Sequence, residues 1–95
     1  MNGYALSFDM EIERLEQFYG TPYNNAYADI RKVLMSNGFE WIQGSTYVTK
    51  GNLVNLNEAI IDLKAIDWFC KSVRDIMAFK IEEWSDFTPS FNKTK

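Results

Sequence analysis

Asp9 stands directly after a short segment, Tyr4-Ala5-Leu6-Ser7-Phe8, in which large and small residues alternate. A carboxylate there lies at the rim of a sheet, where a loop can admit substrate. It can cap the next turn or act as an acid–base group, and position alone favours the cap. Two copies of Asp9 brought together at a two-fold axis would change that. Such a pair could hold a divalent cation such as Mg2+, or share one proton. A second cluster, Gln43-Gly44-Ser45-Thr46-Tyr47, places an amide, two hydroxyls and a phenol around a glycine. These groups suit phosphate oxygens or a base edge, and Tyr47 suits a stacked base. The plainer alternative is a hairpin or bulge of ordinary strand residues. Arg74-Asp75 precedes the last predicted strand. Arg74 pairs with Asp75 or another carboxylate, or else contacts a backbone phosphate. Arg31 and Lys32 fall on the polar side of a predicted helix.

Composition narrows the chemistry. The chain has 95 residues, 46% hydrophobic and 24% charged, which suits one small globular domain over residues 1–95. It has no histidine. Ser-His-Asp and Cys-His catalysis, paired-histidine RNA cleavage and the usual zinc sites are therefore excluded. Its single cysteine cannot form an internal disulfide. Cys70, after Trp68-Phe69, reads as a small buried hydrophobe, and Trp41, Trp68 and Trp84 read as core or interface. Net charge is −3, so a broad basic face for nucleic acid is not expected. Glu11, Glu13 and Glu16 beside Asp9 form either a solvated helical face or a negative rim that RNA approaches only with a cation. No apolar run approaches the ~18 residues of a membrane span and the acidic start does not read as a signal peptide, so a soluble cytoplasmic protein is expected.

These candidates need elements to position them. Tyr4, Leu6 and Phe8 alternate with Ala5 and Ser7, the period of a strand with its large residues toward helices. Residues 10–20 allow one or two helical turns. Gly20-Thr21-Pro22 breaks them, and Asn24 or Asn25 caps a helix with stripe Ala26, Ile30, Val33 and Leu34, stopped by Asn37-Gly38. Phe39–Gln43 and Ser45–Thr49 read as two strands, or as one kinked at Gly44. A second helix runs from about Asn52 to Ile66 with stripe Leu53, Leu56, Ile60 and Leu63, and residues 55–58 offer an alternative capping box. A last strand covers Ile76 to about Glu82, and the tail is loose from about residue 89. The order β-α-β-β-α-β predicts an α+β, ferredoxin-like domain, an antiparallel sheet with two helices on one face. The uncovered face carries apolar residues, which predicts a homodimer, through that face or through exchange of the final strand and tail.

Several segments together carry a family likeness. Tyr4-Ala-Leu-Ser-Phe-Asp9, Tyr19-Gly-Thr-Pro-Tyr-Asn-Asn-Ala-Tyr27, Gly38-Phe-Glu-Trp-Ile-Gln-Gly-Ser45 with Tyr47, and Ser72–Thr88 resemble the virulence-associated protein D (VapD) family. The resemblance covers nearly the whole chain, in order and at natural spacing. It implies a ferredoxin-like homodimer related to the small CRISPR-associated adaptation nucleases. It also implies an endoribonuclease that acts as the toxin of a toxin–antitoxin pair, some members being restrained by a small antitoxin. Asp9 matches the family's strand-end aspartate, Ser45 the serine after Gln-Gly, and Arg74-Asp75 the Val-Arg-Asp triplet. Met77 departs from an arginine that members often carry there, which bears on RNA binding.

Two functions then compete. In the first, Asp9 and Ser45 serve cleavage of RNA, with Gln43, Tyr47, Arg74 and Arg31 contacting it. The reaction runs either through a divalent ion held by paired Asp9 or through Asp9 as base toward the 2′-hydroxyl. The second is a non-catalytic homodimer that binds nucleic acid or protein, which the acidic balance and Met77 favour.

Overall fold

The alternating first segment forms the centre of the sheet. In the computed structural model, which describes residues 3–91, it is strand β1 (Gly3–Met10). Helices α1 (Ile12–Phe18) and α2 (Asn24–Ser36) follow, then strands β2 (Glu40–Gln43) and β3 (Thr46–Thr49). Helices α3 (Leu53–Lys64) and α4 (Asp67–Ser72), strand β4 (Val73–Ile81) and the short α5 (Thr88–Phe91) complete the order. The four strands make one antiparallel sheet, β2-β3-β1-β4, an α+β architecture.

Burial explains the arrangement. Leu6, Phe8 and Met10 of β1 join Tyr47 of β3 in one core with Leu15 of α1, Ala26, Ile30 and Leu34 of α2, Leu56, Ala59 and Leu63 of α3, and Phe69 of α4. Side chains alternate across a strand, so Ala5, Ser7 and Asp9 face away from the helices. Their partners on β4 are Phe79, Met77 and Asp75. Met77 is 67% and Phe79 50% exposed, so this second face is apolar and open along β4, while Ala5 and its β3 partner Val48 are covered.

Several local expectations change. Helix α2 has Tyr23 at its cap position and no side-chain cap, because both Asn24 and Asn25 already lie inside the helix. Its end is as read: Gly38 takes φ 84°, the left-handed conformation that stops a helix cheaply only at glycine. The middle segment is a hairpin of two strands around Gly44-Ser45. Leu53 is exposed because it starts α3 beyond the reach of the core, and Ala59 takes a buried place instead. Residues 67–72 form α4, which no expectation covered. Cys70 on it is exposed rather than buried, since α4 turns Phe69 inward in its place. Of the tail read as loose, α5 reaches Phe91 and residues 92–95 lie outside the described residues. Among the described residues no helix is long and apolar enough to cross a membrane.

Polar side chains tie one end of the sheet together. Asn52 caps α3 by accepting from the N–H of Val54 at 3.0 Å, and Asn55 returns the bond to the N–H of Asn52. Asn55 Nδ2 also donates to the Asn37 carbonyl, and Thr49 Oγ1 donates to the Gly38 carbonyl. The end of α2, the end of β3 and the start of α3 are thereby joined. Replacing Asn52 by alanine should cost about 1 kcal/mol. Thermal denaturation should show this as a midpoint lower by roughly 4–8 °C.

Candidate active site

The opposite end of the sheet carries the titratable groups. Strand β4 begins at Val73, three residues earlier than its hydrophobic alternation indicated. Arg74 and Asp75 therefore belong to the strand instead of preceding it. The reason is the length of β1, whose last residues draw 73–75 into the ladder. Asp75 stands directly across from Asp9.

Between the pairs Asp9↔Asp75 and Met10↔Val73 the register shifts, and Arg74 is the residue left without a partner. It is the extra residue of a β-bulge, a device that re-aims one side chain. Here the bulge turns the guanidinium back over the carboxylates. Arg74 Nη2 donates to Asp9 Oδ2 at 3.0 Å, and Nε donates to Asp75 Oδ2 at 3.3 Å. Like charges directly opposite one another destabilise a sheet, and Arg74 offsets that repulsion. Its own proton is held more firmly than usual, by the bond to Asp75 first and then by the charge of Asp9. All three groups are exposed and open to solvent.

The same face continues toward the other edge. Ser7 Oγ lies 3.2 Å from Thr46 Oγ1. Thr46 is paired in turn with Gln43 on β2. A polar row, Ser7–Thr46–Gln43, thus crosses the sheet beside Asp9. Ser45 sits in the turn, half-buried, and its carbonyl accepts from the N–H of Phe8 at 3.2 Å. Asp9, Ser45, Gln43 and Arg74 are therefore gathered at one end of the sheet.

Tyr47 and Arg31 are not part of that face. Tyr47 is 1% exposed, stacked 6.3 Å from Phe8, so its ring is closed to any incoming base. That corrects its reading as a stacking residue: its register turns it into the core. Its hydroxyl accepts from Arg31 Nε at 3.4 Å, and the Arg31 guanidinium lies 3.6 Å from the centre of the Trp41 ring. Arg31 is thus engaged on the helix side of the sheet, and Trp41, read as core or interface, is not in the core but 48% exposed.

Two contributions were missed. Ser7 entered the sequence reading only as a small strand residue, and cross-strand pairing alone reveals its row. Tyr27 of α2 lies within electrostatic reach of Asp9. Burial, then Tyr23, then Asp9 raise its phenol above the ordinary range, so it stays protonated at neutral pH. Its place beside the Asp9 end follows from how α2 packs, which no spacing in the sequence shows.

The described residues of one protomer do not make a metal site. No group of three or more carboxylate, histidine or cysteine side chains could hold an ion. The two carboxylates present already share the Arg74 guanidinium. A divalent ion would need the Asp9 of a second copy to complete its ligands.

Comparison with known proteins fits this geometry. The family model described as CRISPR associated protein Cas2 matches residues 2–88. The protein called Endoribonuclease VapD from Dichelobacter nodosus is 56% identical over 86 residues, covering 90% of this chain and 92% of that one. The Endoribonuclease VapD of Helicobacter pylori is 54% identical over 88 residues, 90% and 94% of the two chains. That of Haemophilus influenzae is 41% identical over 86 residues, 90% and 93%. An aspartate at the end of a central strand, crossed by a bulged arginine, is thus set in a chain that belongs to the VapD family of endoribonucleases.

Proposed function

We propose that this protein cleaves single-stranded RNA internally at the Asp9 end of its sheet, working as a homodimer of ferredoxin-like protomers. The observation that carries the reading is the Arg74 fork on Asp9, in a chain so similar to proteins named endoribonucleases. The non-catalytic alternative loses its ground with that likeness. The strand order β2-β3-β1-β4 supports the ferredoxin-like description. The exposed Met77 and Phe79 support burial of part of the open face against a second copy. Action as a toxin, with restraint by a small antitoxin, rests on the family resemblance.

The chemistry follows from the free oxygen of Asp9. Arg74 engages Oδ2 and fixes the carboxylate, while among the described residues no donor reaches Oδ1. Oδ1 takes the proton of a 2′-hydroxyl. The 2′-oxygen then forms a bond to the adjacent phosphorus as the bond to the 5′-oxygen breaks. The leaving 5′-oxygen takes a proton from water. Negative charge grows on the phosphoryl oxygens, and Arg74 with the Ser45 hydroxyl stabilises it. Gln43 and the Ser7–Thr46 row hold the strand. The products are a 2′,3′-cyclic phosphate and a 5′-hydroxyl. These steps need no metal ion, since Arg74, bonded to both Asp9 and Asp75, supplies the positive charge beside the phosphate.

Asp9→Asn should lower the cleavage rate by roughly 10²–10⁴-fold, the usual contribution of a general base. Wild-type cleavage should persist in a chelator and yield cyclic phosphate ends. A 5′-phosphate product abolished by chelation would return the mechanism to a cation held by paired Asp9. Arg74→Gln should slow cleavage by roughly a hundredfold, the scale for losing one charge-stabilising donor, with an unchanged circular dichroism spectrum. Met77→Asp combined with Phe79→Asp should sediment as a monomer. A wild-type monomer at micromolar concentration would remove the homodimer.

A further inference from the structure

A cleft of about 690 Å³ opens between strand β2 and the C-terminal segment, lined by Trp41, Gln43, Trp84, Phe87, Thr88 and Phe91 among others. Four of those six are aromatic. We propose that this cleft is a subsite that stacks an unpaired base of the RNA, resting on the endoribonuclease reading above. Three observations support it.

The first is that the cleft contains a preset stacking surface. Trp41 Nε1 donates to the Gly44 carbonyl at 2.9 Å, which fixes the tilt of the indole. Arg31 covers part of the ring at 3.6 Å and makes it a cation-backed platform. Trp41, 48% exposed, also lines the cleft. Phe91, 83% exposed, and Phe87 stand on the other wall with nothing in the core to hold them.

The second is continuity with the proposed site. The register shift between Trp41 and Gln43 leaves Ile42 unpaired, and it sets Gln43 opposite Thr46. Gln43 is therefore at once the last group of the polar row from Ser7 and a wall of the cleft. Two strand spacings separate β2 from β1, about 10 Å. A nucleotide near the one cut at Asp9 thus reaches the cleft.

The third is charge. The chain carries −3 overall, and its described ion pairs use Arg14, Lys71 and Arg74 against its own carboxylates. Lys32, Lys50, Lys64 and Lys80 stand outside those pairs but none lines the cleft, so affinity there comes from a neutral part of a polyanion. Asp86 in the lining sharpens the point. Its carboxylate is held below its ordinary value by Thr88, by hydrogen bonding from the side chain first and then from the N–H, which donates to it at 2.8 Å, so it stays ionised. A phosphate would be repelled there, whereas a base would not. Stacking is worth enough per base to replace several phosphate contacts. The Gln43 amide, donor and acceptor together, then reads the base edge.

The test is binding, not cleavage. End-labelled single-stranded RNA made with 2′-O-methyl sugars cannot be cut through a 2′-oxyanion, and its anisotropy reports affinity for the intact protein. Trp41→Ala and Phe91→Ala should each weaken binding by roughly fivefold or more, the effect of losing one stacked ring. Trp41→Phe should restore most of it, and Gln43→Ala should flatten the preference among oligomers of single base composition. Phe91→Ala removes nothing from the core, so its result stands even if Trp41→Ala folds poorly. Unchanged affinity in both alanine variants overturns the proposal. So does a shift in sedimentation without loss of RNA binding, which would give the cleft to a second copy of the chain. Because the RNA is uncut throughout, failure of Asp9→Asn to stop cleavage would sink the catalytic reading and leave the cleft result intact.

Discussion

The antiparallel ladder between β1 and β4 is the constraint on which the working end of this molecule depends. It runs from Gly3↔Ile81 to Met10↔Val73, with one irregularity, at Arg74. A one-residue slip would turn every side chain of the strand to the opposite face. Asp9 would then face the helices, and Leu6 and Phe8 would face water. Core and site therefore demand the same register. The bulge next to Asp9 accommodates one more residue without disturbing that agreement. It delivers a cation to a place where two carboxylates oppose each other, so a pair that would weaken the sheet is bridged instead.

An acidic endoribonuclease poses an electrostatic problem that the fold treats locally. Several cations are engaged close to home: Lys71 on Asp67, Arg14 on Glu11, Arg31 on the Trp41 ring and Tyr47 hydroxyl. The polar groups at the Asp9 end are few, a guanidinium at one strand end and a row of hydroxyls and an amide leading away from it. Arg31 shows how a cation can matter without meeting a phosphate, since it orders an aromatic ring instead.

Much of this was legible in the residues. The alternation of Tyr4–Phe8, the stop at Asn37-Gly38 and the hairpin at Gly44 follow from local rules, whereas Asp9, read as following the first strand, lies inside it because pairing with β4 carries β1 on to Met10. Absence of histidine leaves carboxylates as the side chains suited to acid–base work near neutral pH. What local rules missed was set by partners. The start of β4 depends on the length of β1, because Val73–Asp75 lack the alternation of a strand and join only through the ladder. Tyr47 reads as an aromatic in a polar cluster, yet Phe8 and the helices decide that it is buried. Cys70 and Leu53 were misjudged for the converse reason: an apolar side chain on a helix is inside only if the helix turns it there. The Ser7–Thr46 contact joins residues 39 positions apart, a distance that no pattern within either segment records.

The two ends of the sheet differ in kind. At one, Asn37, Thr49, Asn52 and Asn55 join helix end, strand end and helix start by side-chain bonds to backbone groups. At the other, the hairpin turn and the Asp9 carboxylate meet water. Local opening therefore starts more easily at the hairpin than at the asparagine-bound end. Sequence change follows the same gradient. Residues 43–45 can vary in length and chemistry while the opposite end continues to specify the fold, so the hairpin end can diverge among descendants of this chain without a matching loss of stability.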